Sequence, residues 1–136
     1  MRKVKKFVKS IPVLGPVATK LFGKKIPVNQ TFPGSANYWE NRYAKGGNSG
    51  SGSYDRLAEF KAEVLNKFVA DNDISTIIEL GCGDGNQLKL AKYPSYVGFD
   101  VSQTAITHCR QLFTEDKSKS FERSTPDSLS AHQAQL

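Results

Sequence analysis

Apolar residues recur along the second half of the chain at two different periods. Leu57, Phe60, Val64, Leu65 and Phe68 fall at helical spacing and predict one apolar stripe on a helix that begins near Tyr54. Ser53 stands at its N-cap, Glu63 and Lys67 form an i,i+4 pair in the favourable order, and the polar run DND at 71–73 ends it. STIIEL at 75–80 reads as a short buried strand and runs straight into glycines. NQLKLAKY predicts about two turns of helix, ended by Pro94. SYVGFD is a second strand closing on Asp100, and Ser102 then caps a helix with Ala105, Ile106, Cys109, Leu112 and Phe113 on one side. Helix, strand, glycine-rich turn, helix, strand, helix is the start of an open, doubly wound (Rossmann-like) parallel sheet, an α/β fold.

The flanks of this pattern are different. Residues 26–53 read as a loop or lid region, with Pro27, Pro33 and Gly34 ahead of the flexible run KGGNSGSGS at 45–53. Within it, NYWENRYA carries the only Trp of the chain, and its aromatic rings need a partner, either the core or a ligand. Residues 54–116 hold the helix and strand pattern. Residues 117–136 are polar and predict a disordered tail, or at most a short strand around Phe121.

Charge divides the chain of 136 residues again. Residues 1–25 carry eight Lys or Arg and no acid, so the net charge of +6 leaves −2 for the remainder. That balance argues against a nucleic-acid face on the folded part. The basic arm has Phe7, Val8, Ile11, Val13 and Leu14 among its lysines, which suits contact with an anionic membrane surface as well as a tail packed on the protein itself. Its apolar patch is eight residues broken by Pro12, Gly15 and Pro16, far short of the ~20 that a bilayer span needs. The expected location is cytoplasmic, peripheral to a membrane if the arm binds one. Cys82 and Cys109, without CxxC or histidine at ligand spacing, read as two free thiols in a reducing compartment, and no metal site is expected. His108 and His132 have no catalytic context.

The glycines carry the chemistry. Gly81, Gly83 and Gly85 alternate behind Glu79, with Cys82 and Asp84 between them. A strand passing through glycines into a helix gathers unpaired N–H groups at one spot, where a nucleoside-like ligand approaches closely. A dinucleotide fingerprint needs its third glycine where Asn86 stands, and Glu79, Asp84 and Asp100 would repel a pyrophosphate. An NAD-binding oxidoreductase is therefore disfavoured, and a cationic or zwitterionic nucleoside is favoured.

E-x-G-x-G-x-G at 79–85, followed by a strand ending in Asp100, resembles the class I S-adenosylmethionine-dependent methyltransferases, firmly over residues 74–113. The resemblance implies that Glu79, Gly81, Cys82, Gly83 and Gly85 form the loop under the methionine and ribose of S-adenosyl-L-methionine. It implies that Asp100 holds the ribose hydroxyls and that Val101 flanks the adenine. YWENRY looks like the family's N-terminal cover, with Tyr38 and Arg42 near the cofactor carboxylate. The family's sheet has seven strands, and only 36 residues follow Asp100. The expected fold is thus an incomplete, apparently truncated methyltransferase domain, with an open face and edge that a partner chain would complete. Catalytic residues are not assignable. The expected activity is methyl transfer to an unknown acceptor, a small molecule or glycan-like compound. The alternative is a non-catalytic remnant or membrane-surface module that retains at most cofactor binding.

Overall fold

In the computed structural model the described residues are 32–125, 127–132 and 134–136, and the basic arm at 1–25 lies outside them. Residues 33–136 make one unit. In chain order the elements are α1 (Ser35–Ala44), α2 (Asp55–Asp71), β1 (Thr76–Leu80), β2 (Ser95–Asp100), α3 (Gln103–Leu112) and β3 (Lys119–Arg123). Short 3-10 turns lie at Ser51–Ser53, Gln87–Leu90 and Leu129–Ala131. The strands form a three-stranded parallel sheet in the order β1-β2-β3, an α/β arrangement with the character of a partial Rossmann-like sheet.

Register explains the core. Ile77 pairs with Tyr96 and Gly98 with Phe121, so Ile77, Tyr96 and Phe121 share one face of the sheet. Val69 of α2, Leu88 of the 3-10 turn and Ile106 and Cys109 of α3 pack with them in a single buried cluster. Among the described residues the helical cover of that cluster sits on one side. The other face, with Ile78, Leu80, Val97 and Phe99, meets the C-terminal segment instead: the His132 ring stands edge-on to Phe99 at 5.3 Å and is 3.1 Å from Glu122. Leu80 stays 67% exposed there.

Several sequence expectations need correction. The loop region at 26–53 contains α1, because SANYWENRYA buries Tyr43 and bonds α3 through Glu40 once the two segments meet. The Gly/Ser run at 45–53 is pinned to the glycine turn, as described below. Ser53 does not cap α2; Tyr54 takes that position without a side-chain bond, and Asp55 follows at φ 49°. Lys67 pairs with Asp71 at 2.5 Å rather than with Glu63. Of the apolar stripe of α2, Leu57, Phe60, Val64 and Phe68 face outward and Leu65 is half-buried, while Ala58, Ala62 and Val69 are the buried positions. Small residues win because the helix lies close on the neighbouring turn, where Gln87 Nε2 donates to Ala58 O and Asn66 Nδ2 to Leu90 O. Two turns of helix after the glycines shrink to one 3-10 turn at Gln87–Leu90, as Ala91 turns to extended φ and ψ. On α3 Leu112 is exposed, although Ala105, Ile106 and Cys109 are buried as expected and Ser102 Oγ accepts from Ala105 N at 3.1 Å.

The tail expectation changes most. The strand allowed around Phe121 forms, and the segment is not disordered over 119–123, since pairing with β2 buries Phe121. Further on, Ile78 N donates to Leu136 O at 2.7 Å, and Gln135 N and Leu136 N donate to Thr76 O. The last residues thus lie parallel along the outer edge of β1, covering part of an edge strand that would otherwise expose its N–H and C=O groups.

Candidate functional site

The carboxyl ends of β1 and β2 open into a cleft of about 480 Å³, within the size range of small-ligand sites. Glu79, Gly81, Cys82, Gly83, Asp100 and Val101 all line it. Its other walls come from Trp39 and Tyr43 of α1, Ser49 and Ser53 of the following segment, Lys61 of α2, and Ser124 and Leu129 near the C-terminus.

The three glycines have three different reasons. Gly81, which lines the cleft, has φ 88°, and a Cβ placed on it would meet nothing within 4 Å. A Cβ on Gly83 would run into the Ser49 hydroxyl and come within 3.0 Å of the Tyr43 hydroxyl. One on Gly85 would press on Cys109 Sγ and the Phe113 ring, each at 3.0 Å. Two of the three are thus glycines because protein approaches them; only Gly81 leaves room for a ligand. Gly85 is not a cleft residue.

The carboxylates are placed by the backbone. Asp100 is buried, with Oδ2 accepting from Gly83 N at 3.0 Å and Oδ1 from Ser102 N at 2.9 Å. Each oxygen keeps a further lone pair for another donor. Glu79 Oε2 accepts from the Tyr96 hydroxyl at 2.6 Å. Burial pushes the Glu79 carboxyl upward, opposed by the Tyr96 bond and by the positive charge of Lys61. The Tyr96 hydroxyl is held well above the ordinary tyrosine range by its own burial and by Glu79. Cys82 and Cys109 are free and buried. Cys109 Sγ donates to Gly83 O at 3.3 Å, and the neighbouring Cys109 together with burial holds the Cys82 thiol above its ordinary range.

Asp84 is not among the residues lining the cleft and ties the glycine turn to the segment at 49–54. Its Oδ2 accepts from Ser49 N at 2.9 Å and from the Tyr54 hydroxyl at 2.7 Å, while Asp84 N donates to Ser49 Oγ at 3.0 Å. Burial alone would raise the Asp84 carboxyl, but the bonds from Tyr54, Ser49 and Asn86 overcome it and hold it below the usual range. Asn86 Nδ2 adds a bond to Ser53 O at 2.7 Å. Glu40 secures the other end of the lid. It accepts from Ser102 Oγ at 2.8 Å, Thr104 Oγ1 at 2.5 Å and Thr104 N at 3.2 Å, at the positive end of α3.

Tyr38 and Arg42 do not line the cleft. Tyr38 stands edge-on to Trp39, and Arg42 closes its own loop by donating Nε to Asn48 O at 2.5 Å. Their helix brings Trp39 and Tyr43 to the cleft instead, stacked at 5.7 Å between centroids. Lys61 is the cationic residue of the cleft, and sequence reasoning missed it. No motif surrounds it; its one signal is its place between buried Ala58 and Ala62 on α2. Among the described residues no cluster of His, Cys, Asp or Glu is arranged to hold a metal, and no helix is long and apolar enough to cross a membrane.

No protein-family model and no curated protein matches this sequence. Solved structures resemble it in part. A caffeoyl-CoA O-methyltransferase candidate from Staphylococcus aureus superposes with a TM-score of 0.46 at 12% identity, over 68% of this chain and 44% of that one. The methyltransferase PaMTH1 of Podospora anserina, bound to SAH, superposes with a TM-score of 0.49 at 14% identity, over 91% of this chain and 56% of that one. The chain therefore spans about half the length of each. At those scores the overlap carries no chemistry, which is set by the residues of the cleft.

Proposed function

We propose that the cleft binds S-adenosyl-L-methionine and that the chain is a methyltransferase, or the cofactor-binding part of one. The observation that carries this reading is the meeting of Gly81, with open space at its Cβ position, with two acids, Glu79 and Asp100, and one base, Lys61, in one cleft. Asp100 keeps acceptor sites for two vicinal hydroxyls, a charge-assisted arrangement. The Glu79 carboxylate suits the ammonium of an amino acid, and the Lys61 ammonium suits its carboxylate. Together they favour a zwitterionic, cationic nucleoside over a pyrophosphate. Trp39, Tyr43 and Val101 supply apolar walls.

When bound, the cofactor supplies an electrophilic methyl group on its sulfonium. The chain's own residues orient that group and exclude water from it, the kind of proximity effect that methyl transfer relies on. Calorimetric titration with S-adenosylhomocysteine tests the reading. Binding in the micromolar range is expected, lost in Asp100→Ala and weakened about tenfold, or ~1.4 kcal/mol, in Lys61→Met. Because Asp100 also holds Gly83 N and Ser102 N, Lys61→Met is the variant that separates ligand contact from folding. A folded protein, by circular dichroism, that binds no S-adenosylhomocysteine would overturn the assignment.

A further inference from the structure

Gln87 carries a buried side-chain oxygen that the fold leaves without a partner. The residue opens the 3-10 turn at Gln87–Leu90, just behind the glycine turn, and lines the cleft. Its Nε2 donates to Ala58 O at 2.9 Å. That bond fixes the amide's orientation, because a carbonyl oxygen only accepts and the atom facing it must be the NH2 group. Oε1 is the other end of the amide. Among the described residues it is the one buried side-chain oxygen or nitrogen without a hydrogen bond. An acceptor withdrawn from water and left unpaired is costly, and native structures keep few of them. In a residue that lines a ligand-sized cleft, a donor brought by the ligand accounts for it.

The surroundings select the donor. Ala58 and Lys61 stand three residues apart on α2, so the Gln87 amide and the Lys61 side chain occupy adjoining positions of that helix. Lys61 in turn is near enough to Glu79 for its charge to act on that carboxyl. One cation therefore stands with two acceptors, the Glu79 carboxylate and the neutral Gln87 oxygen. A carboxylate suits Lys61 but not Gln87 Oε1, since both oxygens are acceptors. An ammonium has three N–H donors, whereas Glu79 already gives Oε2 to the Tyr96 hydroxyl. A second acceptor is thus useful to it, and a neutral one adds no third negative charge beside Glu79 and Asp100.

We infer that Gln87 is a ligand-contacting residue whose Oε1 accepts from the ammonium of a bound amino-acid group, and that it selects ligands carrying that ammonium. The inference rests on the reading of the cleft as an S-adenosyl-L-methionine site and adds a determinant of selectivity to it. Lys61 takes the carboxylate of the amino-acid group, and Glu79 and Gln87 share the ammonium.

Calorimetric titration of the full chain with two probes tests this. S-adenosylhomocysteine has the amino-acid group; methylthioadenosine keeps the nucleoside and lacks that group. Gln87→Leu should weaken S-adenosylhomocysteine about tenfold and leave methylthioadenosine unchanged. Gln87→Glu keeps an acceptor while giving up the Nε2 donor, and it should retain most of the wild-type affinity for S-adenosylhomocysteine. Unchanged S-adenosylhomocysteine binding in Gln87→Leu overturns the inference and leaves the cofactor reading standing. So does an equal loss of both probes, or a loss in Gln87→Glu as large as in Gln87→Leu, because the residue then acts through its bond to Ala58 O. A folded wild-type chain that binds neither probe overturns the cofactor reading and the inference with it.

Discussion

Gly83 illustrates how closely one residue can be specified by its surroundings. It has φ 60°, its N–H donates to Asp100, and the space a Cβ would take belongs to Ser49 and Tyr43. Gly83→Ala should destabilise the fold by about 1–3 kcal/mol through left-handed strain and the displaced Ser49 contact. Urea denaturation followed by Trp39 fluorescence would measure it, and a loss below about 0.5 kcal/mol would show that the lid is not seated on the turn. The same residue-scale reading separates Asp84 from Asp100. Both are acids near the glycines, yet Asp84 gives Oδ2 to Ser49 N and the Tyr54 hydroxyl and Oδ1 to Asn86 N, while Asp100 keeps acceptor sites in the cleft.

At the scale of elements, α1 is held as a wall of the cleft by its contacts at both ends. Glu40 is the contact at α3, and the bonds from Thr104 and Ser102 lower its carboxyl from 4.5 to about 2. A lowered folded-state value means that the contact stabilises fully above the unfolded value. It is lost as pH falls from about 4.5 toward 2. Trp39 adjoins Glu40 and is the single tryptophan, so its emission should shift in that pH window, and the shift should vanish in Glu40→Gln. An identical acid transition in the variant would remove Glu40 from the latch. How α1 and α2 face their surroundings was poorly legible in the chain. The row at 57, 60, 64 and 68 has the period of a core face, but helical spacing says only that those residues share a side. Which side turns inward was decided by the close approach of Ala58 and Ala62 to the Gln87–Leu90 turn.

At the scale of the whole molecule, among the described residues the sheet is three strands wide with its helical cover on one face, and its outer edge at β1 is met by Gln135 and Leu136. Removing residues 134–136 should leave the ladder between β1 and β2 intact and expose the Ile78 amide. Hydrogen exchange at Ile78 should then quicken by at least about tenfold, with little change at Val97. Equal protection with and without the last three residues would mean that the edge is covered by something else.

The chain by itself determined the helix at 55–71, the strands β1 and β2 through their apolar runs, the Ser102 cap and the placing of Glu79 and Asp100 beside the glycines. These signals are local: a strand, a turn or a cap is specified by residues within a few positions of one another. Tertiary structure alone decided which glycines face protein and which faces the cleft, why the Gly/Ser run is ordered, and that Lys61 rather than Arg42 is the cation at the site. Each of these depends on contacts between residues far apart in sequence, such as Ser49 with Asp84 and Glu40 with Thr104. Side-chain direction and burial arise only when those segments meet, so no period or spacing along the chain encodes them.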